Sequence, residues 1–226
     1  VFNVLNGGKH AQNNLSFQEF MVIPSMGYDF RKQMEIGVGV YEALKEKLHE
    51  DGFSTGVGDE GGFAPTGFTA LKALYYLKEA VNSRYVLGKD VFLGMDVAAE
   101  SFVDHNSYII EEEKLTLNVS DFIDYYDKLI QKFPLIYIED PFYERDFIGW
   151  SKFFSSFSKK LMVVGDDLVV TNPTILKSIL KKSLISAVIV KPNQVGTLTE
   201  TFEFIRLAKK NNLQVIVSHR SGDTAE

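Results

Sequence analysis

Cysteine is absent from the chain, which excludes both a disulfide scaffold and a thiolate metal site. Long apolar runs are missing too. Stretches such as AVIV at 187–190 are far too short to cross a bilayer, and the opening VFNVLNGGKH lacks the charged start and long apolar segment of a secretory signal. Positive charge is in deficit, with 24 Lys and Arg against 30 Asp and Glu and a formal net charge of -6. No general basic field therefore exists to draw in nucleic acid or an anionic membrane, and the absence of a secretory signal and of cysteine fits a cytoplasmic home. Repeats, low-complexity tracts and linker-like segments are also lacking. What remains is 226 residues at 45% hydrophobic content, enough to bury a substantial core.

From residue 91 onward, short aliphatic runs alternate with longer stretches of helical periodicity, the pattern of βα units around a parallel sheet. The spacing predicts strands at 91–95 (VFLGM), 135–138 (LIYI), 161–165 (LMVVG), 187–190 (AVIV) and 214–218 (QVIVS). Helices are predicted between them at 120–132, 146–157, 172–182 and 198–211, several opened by a Ser, Asp or Asn suited to an N-cap. A small inserted hairpin is expected at 107–117. The start of the chain differs: apolar runs at 2–5 and 20–23 flank a Gly/Asn-rich turn and predict a hairpin. Two long amphipathic helices should follow, at 31–50 and 69–84, joined by the Gly-rich segment GVGDEGGFAP. The strands fall one short of an eight-stranded α/β barrel, so one incomplete barrel domain over residues 1–226 is expected.

The chemistry gathers at the carboxyl ends of the strands. Asp96 follows VFLGM, Glu139 follows LIYI, Asp166 follows LMVVG, Lys191 follows AVIV, and His219 and Arg220 follow QVIVS. In an α/β barrel these ends converge on the mouth where active sites are built. Carboxylates collected there repel one another and lose solvation unless a divalent cation sits among them, and an all-oxygen donor set suits Mg²⁺ rather than zinc or copper. Taken singly, each acid reads more readily as a helix cap or a solvated strand end, and either Asp166 or Asp167 could be such a cap, but a series on consecutive strands argues for function.

Lys191 closes an apolar strand, where desolvation and neighbouring cations would lower its pKa toward that of a general base; a snorkelling lysine is the bland alternative. His219, Arg220 and Ser221 form a run of donors suited to an anionic oxygen. Glu60 stands in the Gly-rich segment, which otherwise reads as a plain turn, and Glu19 opens an apolar run where an acid is out of place unless it faces a site. His10 sits in a probable turn, where a lone histidine is more often at the surface. His49 and His105 read as solvated.

Together these residues resemble the enolases. NVLNGGKHAQNNLSFQEFMVIP is similar to the family's NGG-x-HA turn followed by QEFM, and GDEGGFAP, GMDVAA, YIEDPF, GDDLVVTNP, VKPNQVGT and SHRSGDT follow in family order across nearly the whole chain. The resemblance implies an enolase-type TIM-like barrel, ββαα(βα)n, lacking the preceding α+β domain and the last barrel unit with its second essential lysine. It implies the Mg²⁺-dependent interconversion of 2-phosphoglycerate and phosphoenolpyruvate in glycolysis and gluconeogenesis, by a homodimer in the full-length protein.

Asp96, Glu139 and Asp166 would hold Mg²⁺, Lys191 would remove the C2 proton, and Glu60 would assist loss of the C3 hydroxyl, with Glu19 paired beside it. His10, Gln18, His219, Arg220 and Ser221 would contact substrate. The proline in VKPNQ and the order AAESF depart from common family usage without touching an assigned ligand. The alternatives are another lyase of the same superfamily, or a non-catalytic binding or structural relative.

Overall fold

The computed structural model describes residues 1–105 and 107–220. They form two compact units, Val1–Ile136 and Tyr137–Glu226.

In the first unit, β1 (Phe2–Asn6) pairs antiparallel with β2 (Glu19–Pro24), which pairs antiparallel with β3 (Val91–Asp96). The hairpin expected at the start of the chain is therefore present. Its register has a consequence for the site, because Asn6 lies opposite Glu19 and Glu19 lies opposite Asp96. Directly opposed residues of an antiparallel ladder share a face, so three polar side chains stand in one row across the sheet.

Helix α1 (Phe30–Glu50) starts on Asp29, whose side chain accepts from Lys32 N, and buries Ile36, Val40, Leu44 and Leu48 at helical spacing. Helix α2 (Ala70–Asn82) starts on Thr69 in the same way, accepting from Lys72 N, and buries Ala73, Leu74, Leu77 and Val81. The segment expected as a small hairpin is a three-stranded antiparallel sheet of β4 (Val103–Asp104), β5 (Ser107–Ile110) and β6 (Leu115–Leu117). It leads into α3 (Val119–Lys132), capped by the Asn118 side chain on the backbone N–H groups of Ser120 and Asp121.

An aromatic cluster joins this insert to the segment ahead of β2. Phe122 is fully buried, with ring centroids 4.7 Å from Tyr108, 4.4 Å from Tyr126 and 6.3 Å from Phe17.

The second unit is a run of βα elements: β7 (Leu135–Glu139, which starts at the boundary), α4 (Phe147–Phe157), β8 (Met162–Gly165), α5 (Pro173–Ile179), β9 (Ala187–Val190), α6 (Pro192–Val195), α7 (Leu198–Lys210) and β10 (Gln214–Val217). Strands β7, β8, β9 and β10 pair in that order and in parallel, as the alternating pattern implied. The AVIV strand is buried at every position, because a parallel strand is covered on both faces. Val217 on β10 is 70% exposed.

Two boundaries differ from expectation. The helix foreseen at 172–182 is α5 alone, opened by the Asn172 side chain on Thr174 N and Ile175 N, and is followed by a 3₁₀ turn, Leu180–Lys182, that ends at left-handed Ser183 (φ 51°). The one-turn α6 was not anticipated. Pro192 preorganises its first turn, and Gly196 (φ 91°) ends it in a conformation open mainly to glycine.

Two consequences are measurable. Phe122→Ala removes the centre of the aromatic cluster and is expected to cost about 3–5 kcal/mol in chemical denaturation, whereas Met26→Ala, at a side chain 95% exposed, should stay within about 0.5 kcal/mol of the parent. Asp90 accepts from Tyr28 OH at 2.7 Å and from Val86 N at 3.0 Å, and these bonds, the tyrosine's foremost, hold its carboxyl below the usual carboxylate range. A lowered folded-state value means its contribution is present above the unfolded value of 3.8 and is lost as pH falls through the folded one. Asp90→Asn should therefore flatten the acid limb of a stability–pH curve in that window and leave the neutral region's slope unchanged.

Candidate functional site

In the first unit the site begins with the edge of β1. Phe63 runs alongside β1: Phe63 N donates to Val4 O at 3.0 Å and Asn6 N donates to Phe63 O at 2.8 Å. This draws the GVGDEGG segment against the strand, and Gly58 and Gly62 have no room for a side chain there. A Cβ on Gly62 would lie 2.5 Å from Asn6 Oδ1, and one on Gly58 would lie 2.4 Å from His10 O. Gly62 N donates to the buried Asn6 Oδ1 at 2.9 Å, and Asp59 N donates to His10 O at 2.9 Å. Glu60 is thereby carried to the His10 ring.

His10 Nδ1 lies 3.2 Å from Glu19 Oε1 and 3.8 Å from Glu60 Oε2, and one ligand atom from each residue falls within 4.8 Å of the others. The sequence left His10 open to a surface reading; instead it bridges two acids. Gln18, adjacent to Glu19, donates its amide Nε2 to Asp96 Oδ2 at 2.9 Å, and its backbone N–H to Asp96 O at 3.1 Å. The other Asp96 oxygen accepts from Ala98 N at 3.0 Å. Five of the candidate residues, His10, Gln18, Glu19, Glu60 and Asp96, are thus gathered within this unit.

In the second unit Glu139 is buried at the end of β7, where Tyr137 OH donates to its Oε2. Asp166 follows β8 and forms an ion pair with Lys191 Nζ; its other oxygen accepts from Gln194 Nε2 at 3.2 Å. The helix-cap reading of Asp166 and Asp167 is ruled out, since the next helix is capped by Asn172. Lys191 does not snorkel. The sequence anticipated cations around it, but its ammonium group meets the Asp166 carboxylate.

His219 and Arg220 follow β10 and are exposed, and Ser221 lies outside the described residues. His49 is exposed as expected, and so is His105, whose side chain is 97% accessible.

Four participants escaped the sequence reading. Asn6 is one, hidden in a motif that reads as a turn. Asp140 is another: its two carboxylate oxygens accept from Asp166 N at 3.1 Å and Asp167 N at 2.8 Å, fixing the loop that presents Asp166. Its place directly after Glu139 was the available signal. Thr171 and Gln194 complete the set. Thr171 Oγ1 accepts from Lys191 N at 2.9 Å and donates to Gln194 Oε1 at 2.7 Å, so one buried hydroxyl links the backbone of the lysine to the amide that holds Asp166.

Thr171 and Val170 both have left-handed backbones, at φ 54° and 42°. For β-branched residues this is strained by about 1–3 kcal/mol each, and such strain clusters at functional sites.

Comparison with known proteins bears on this arrangement. Residues 1–226 match the family model described as "Enolase, C-terminal TIM barrel domain". The chain is 43% identical over its whole length to the enolase of Ehrlichia chaffeensis, of which the match covers 53%. It is 43% identical over 98% of its length to the enolase of Natranaerobius thermophilus, covering 52% of that protein, and 42% identical over its whole length to the enolase of Ehrlichia canis, covering 53%. The chain therefore spans about half the length of these curated relatives.

The Asn6 tether predicts a local effect. Asn6→Ala should accelerate hydrogen exchange at the Gly62 amide by about fivefold or more, the loss of a bond worth about 1–3 kcal/mol to a buried group, while amides of α2 keep their rates. Unchanged exchange at Gly62 in a folded Asn6→Ala variant would remove Asn6 from this role.

Proposed function

The chain belongs to the enolase family, to its C-terminal TIM barrel domain, and from that premise we propose that its residues form one incomplete barrel domain of a phosphopyruvate hydratase. The whole protein is a carbon–oxygen lyase that interconverts 2-phosphoglycerate and phosphoenolpyruvate in glycolysis and gluconeogenesis, as a cytoplasmic homodimer. No helix of the described residues is long and apolar enough to cross a membrane.

The observation that carries the reading is the burial of three strand-end carboxylates at family motif positions: Asp96 is 5% exposed, Glu139 6% and Asp166 6%. Carboxylates so far withdrawn from water are stabilised by hydrogen bonds and by positive charge, and a dication would add to the donors already beside them. The donors fit a hard dication, being carboxylate oxygens in a chain without a thiol. Asp96, Glu139 and Asp166 would hold Mg²⁺, which when bound supplies the charge that stabilises the anion developing on the substrate carboxylate.

The remaining steps belong to the chain's own side chains. Lys191, whose ammonium pairs with Asp166 in this structure, takes the proton from C2 once it has released that carboxylate and its own proton. Glu60 delivers a proton to the departing C3 hydroxyl, with Glu19 and His10 beside it to fix its orientation. Gln18 and His219 contact substrate, and Arg220 with Ser221 receives the phosphate, for which the planar guanidinium offers two parallel donors.

Expressing the full-length gene and following phosphoenolpyruvate absorbance should show formation that requires Mg²⁺; a folded protein without that signal would instead be a binding or structural relative. In the active protein Lys191→Ala is expected to lower kcat/KM by about 10²–10⁴ and abolish C2 proton exchange while Mg²⁺ titration persists. Asp166→Asn should weaken Mg²⁺ binding, and an unchanged titration would strike Asp166 from the ligand set.

A further inference from the structure

We propose that Glu112, on the inserted three-stranded sheet, is a positioning residue that sets the place of Gln18 and Glu19 by gripping Ser16. The proposal rests on the assignment of Gln18 and Glu19 to the substrate site. Its own support is the direct bonding of two segments 96 residues apart in sequence: Glu112 Oε1 accepts from Ser16 N at 3.0 Å, and Glu112 Oε2 accepts from Ser16 Oγ at 2.5 Å. One carboxylate thus holds both the backbone and the side chain of one residue, a two-point, charge-assisted attachment that fixes position and direction.

Glu112 can act as an anchor because its own turn is held from several sides. The 3₁₀ turn Glu111–Glu113 connects β5 to β6, whose ladder pairs Ile110 with Leu115 and Tyr108 with Leu117. Left-handed Lys114 (φ 55°) closes the turn with its N–H on Glu111 O at 3.1 Å. Next along, Glu113 accepts from Tyr125 OH at 2.7 Å on α3 and from the backbone of Ala70 at the start of α2; burial keeps its carboxyl above the usual range. The insert is therefore fastened to two helices, and Glu112 extends from it to Ser16.

Beyond Ser16 the chain has little slack. Phe17 is fully buried, its ring centroid 5.7 Å from Phe102 and 6.0 Å from Tyr125, edge on. Gln18 then bonds Asp96 through both backbone and side chain, and Glu19 meets His10. A shift at Ser16 passes along two residues to the amide on Asp96 and three to the carboxylate beside His10, and displacements of about 1 Å at a reacting centre can cost about 10²-fold in rate.

Ser16 and Glu112 are both partly exposed, so water can replace the lost bonds in a variant. Removal should therefore affect geometry much more than stability.

In the full-length protein, Glu112→Ala is expected to lower kcat at least about tenfold with the thermal midpoint within about two degrees of the parent. Glu112→Gln, which keeps an acceptor oxygen, should recover part of the loss. Ser16→Ala combined with Glu112→Ala should be no worse than Glu112→Ala alone, as for two ends of one attachment. The Gln18 side-chain amide resonance should shift in Glu112→Ala, a readout that needs no activity. If that resonance stays in place, or if an active protein keeps its kcat in Glu112→Ala, the proposal is overturned. A protein that lacks Mg²⁺-dependent turnover but shows the shift would retain the positioning and lose the proposed function.

Discussion

Carboxylates taken out of water must be compensated, and that constraint organises both units of this molecule. Five acids are buried among the described residues: Glu19, Asp96, Glu139, Asp140 and Asp166, each at most 8% exposed. Every one is met by donors that its own unit supplies: His10 for Glu19, Gln18 and the Ala98 amide for Asp96, Tyr137 for Glu139, two consecutive amides for Asp140, and Lys191 with Gln194 for Asp166. Hydrophobic strands fix where these acids emerge, and the polar partners fix how they point. An isolated buried charge costs several kcal/mol, a large share of a domain's net stability, so acid and partner must be retained together.

How much of this was legible in the sequence follows from what kind of signal each feature leaves. The acids at strand ends were visible, because a β-rich run followed by Asp, Glu or Lys is a one-dimensional pattern, and Asp96, Glu139, Asp166 and Lys191 all stand where that pattern put them. The elements were visible for the same reason, to within a few residues at their ends. The row of Asn6, Glu19 and Asp96 was not, since register depends on which residues of two strands face each other and not on either strand alone. Nor was the use of Asn6, whose side chain reads as turn chemistry until the Gly62 backbone is brought to it from 56 residues away. Lys191 shows the limit most clearly: its place at the strand end was readable, but not the carboxylate its ammonium would meet.

Backbone conformation was the least legible. Left-handed residues follow closely behind three of the buried acids: Ala98 after Asp96, Asp140 after Glu139, and Val170 with Thr171 after Asp166, with φ between 40° and 54°. Ala98, Val170 and Thr171 are not among the residues that announce such a turn, and only Asp140 belongs to a type that visits this region with some ease. The strain persists because it is over-determined: Asp140 is held by two amides and its own N–H on Val164 O, and Thr171 by Lys191 N and Gln194.

The loops that carry the chemistry share one device, a side-chain oxygen that accepts from a backbone N–H. Asn6 holds Gly62, Asp96 holds Ala98, Asp140 holds Asp166 and Asp167, Thr171 holds Lys191, and Glu112 holds Ser16. A loop near a buried site has amides that neither helix nor sheet satisfies, and leaving them unpaired would cost about as much as the loop's order is worth. Tying them to side chains solves that problem and also fixes the loop, because each bond is directional and several are charge-assisted. The chemistry-bearing residues are therefore only part of what specifies the site. The rest is a set of acceptors that touch no reacting atom, whose loss would leave secondary structure and core packing intact while letting the loops, and the acids and base they present, move out of place.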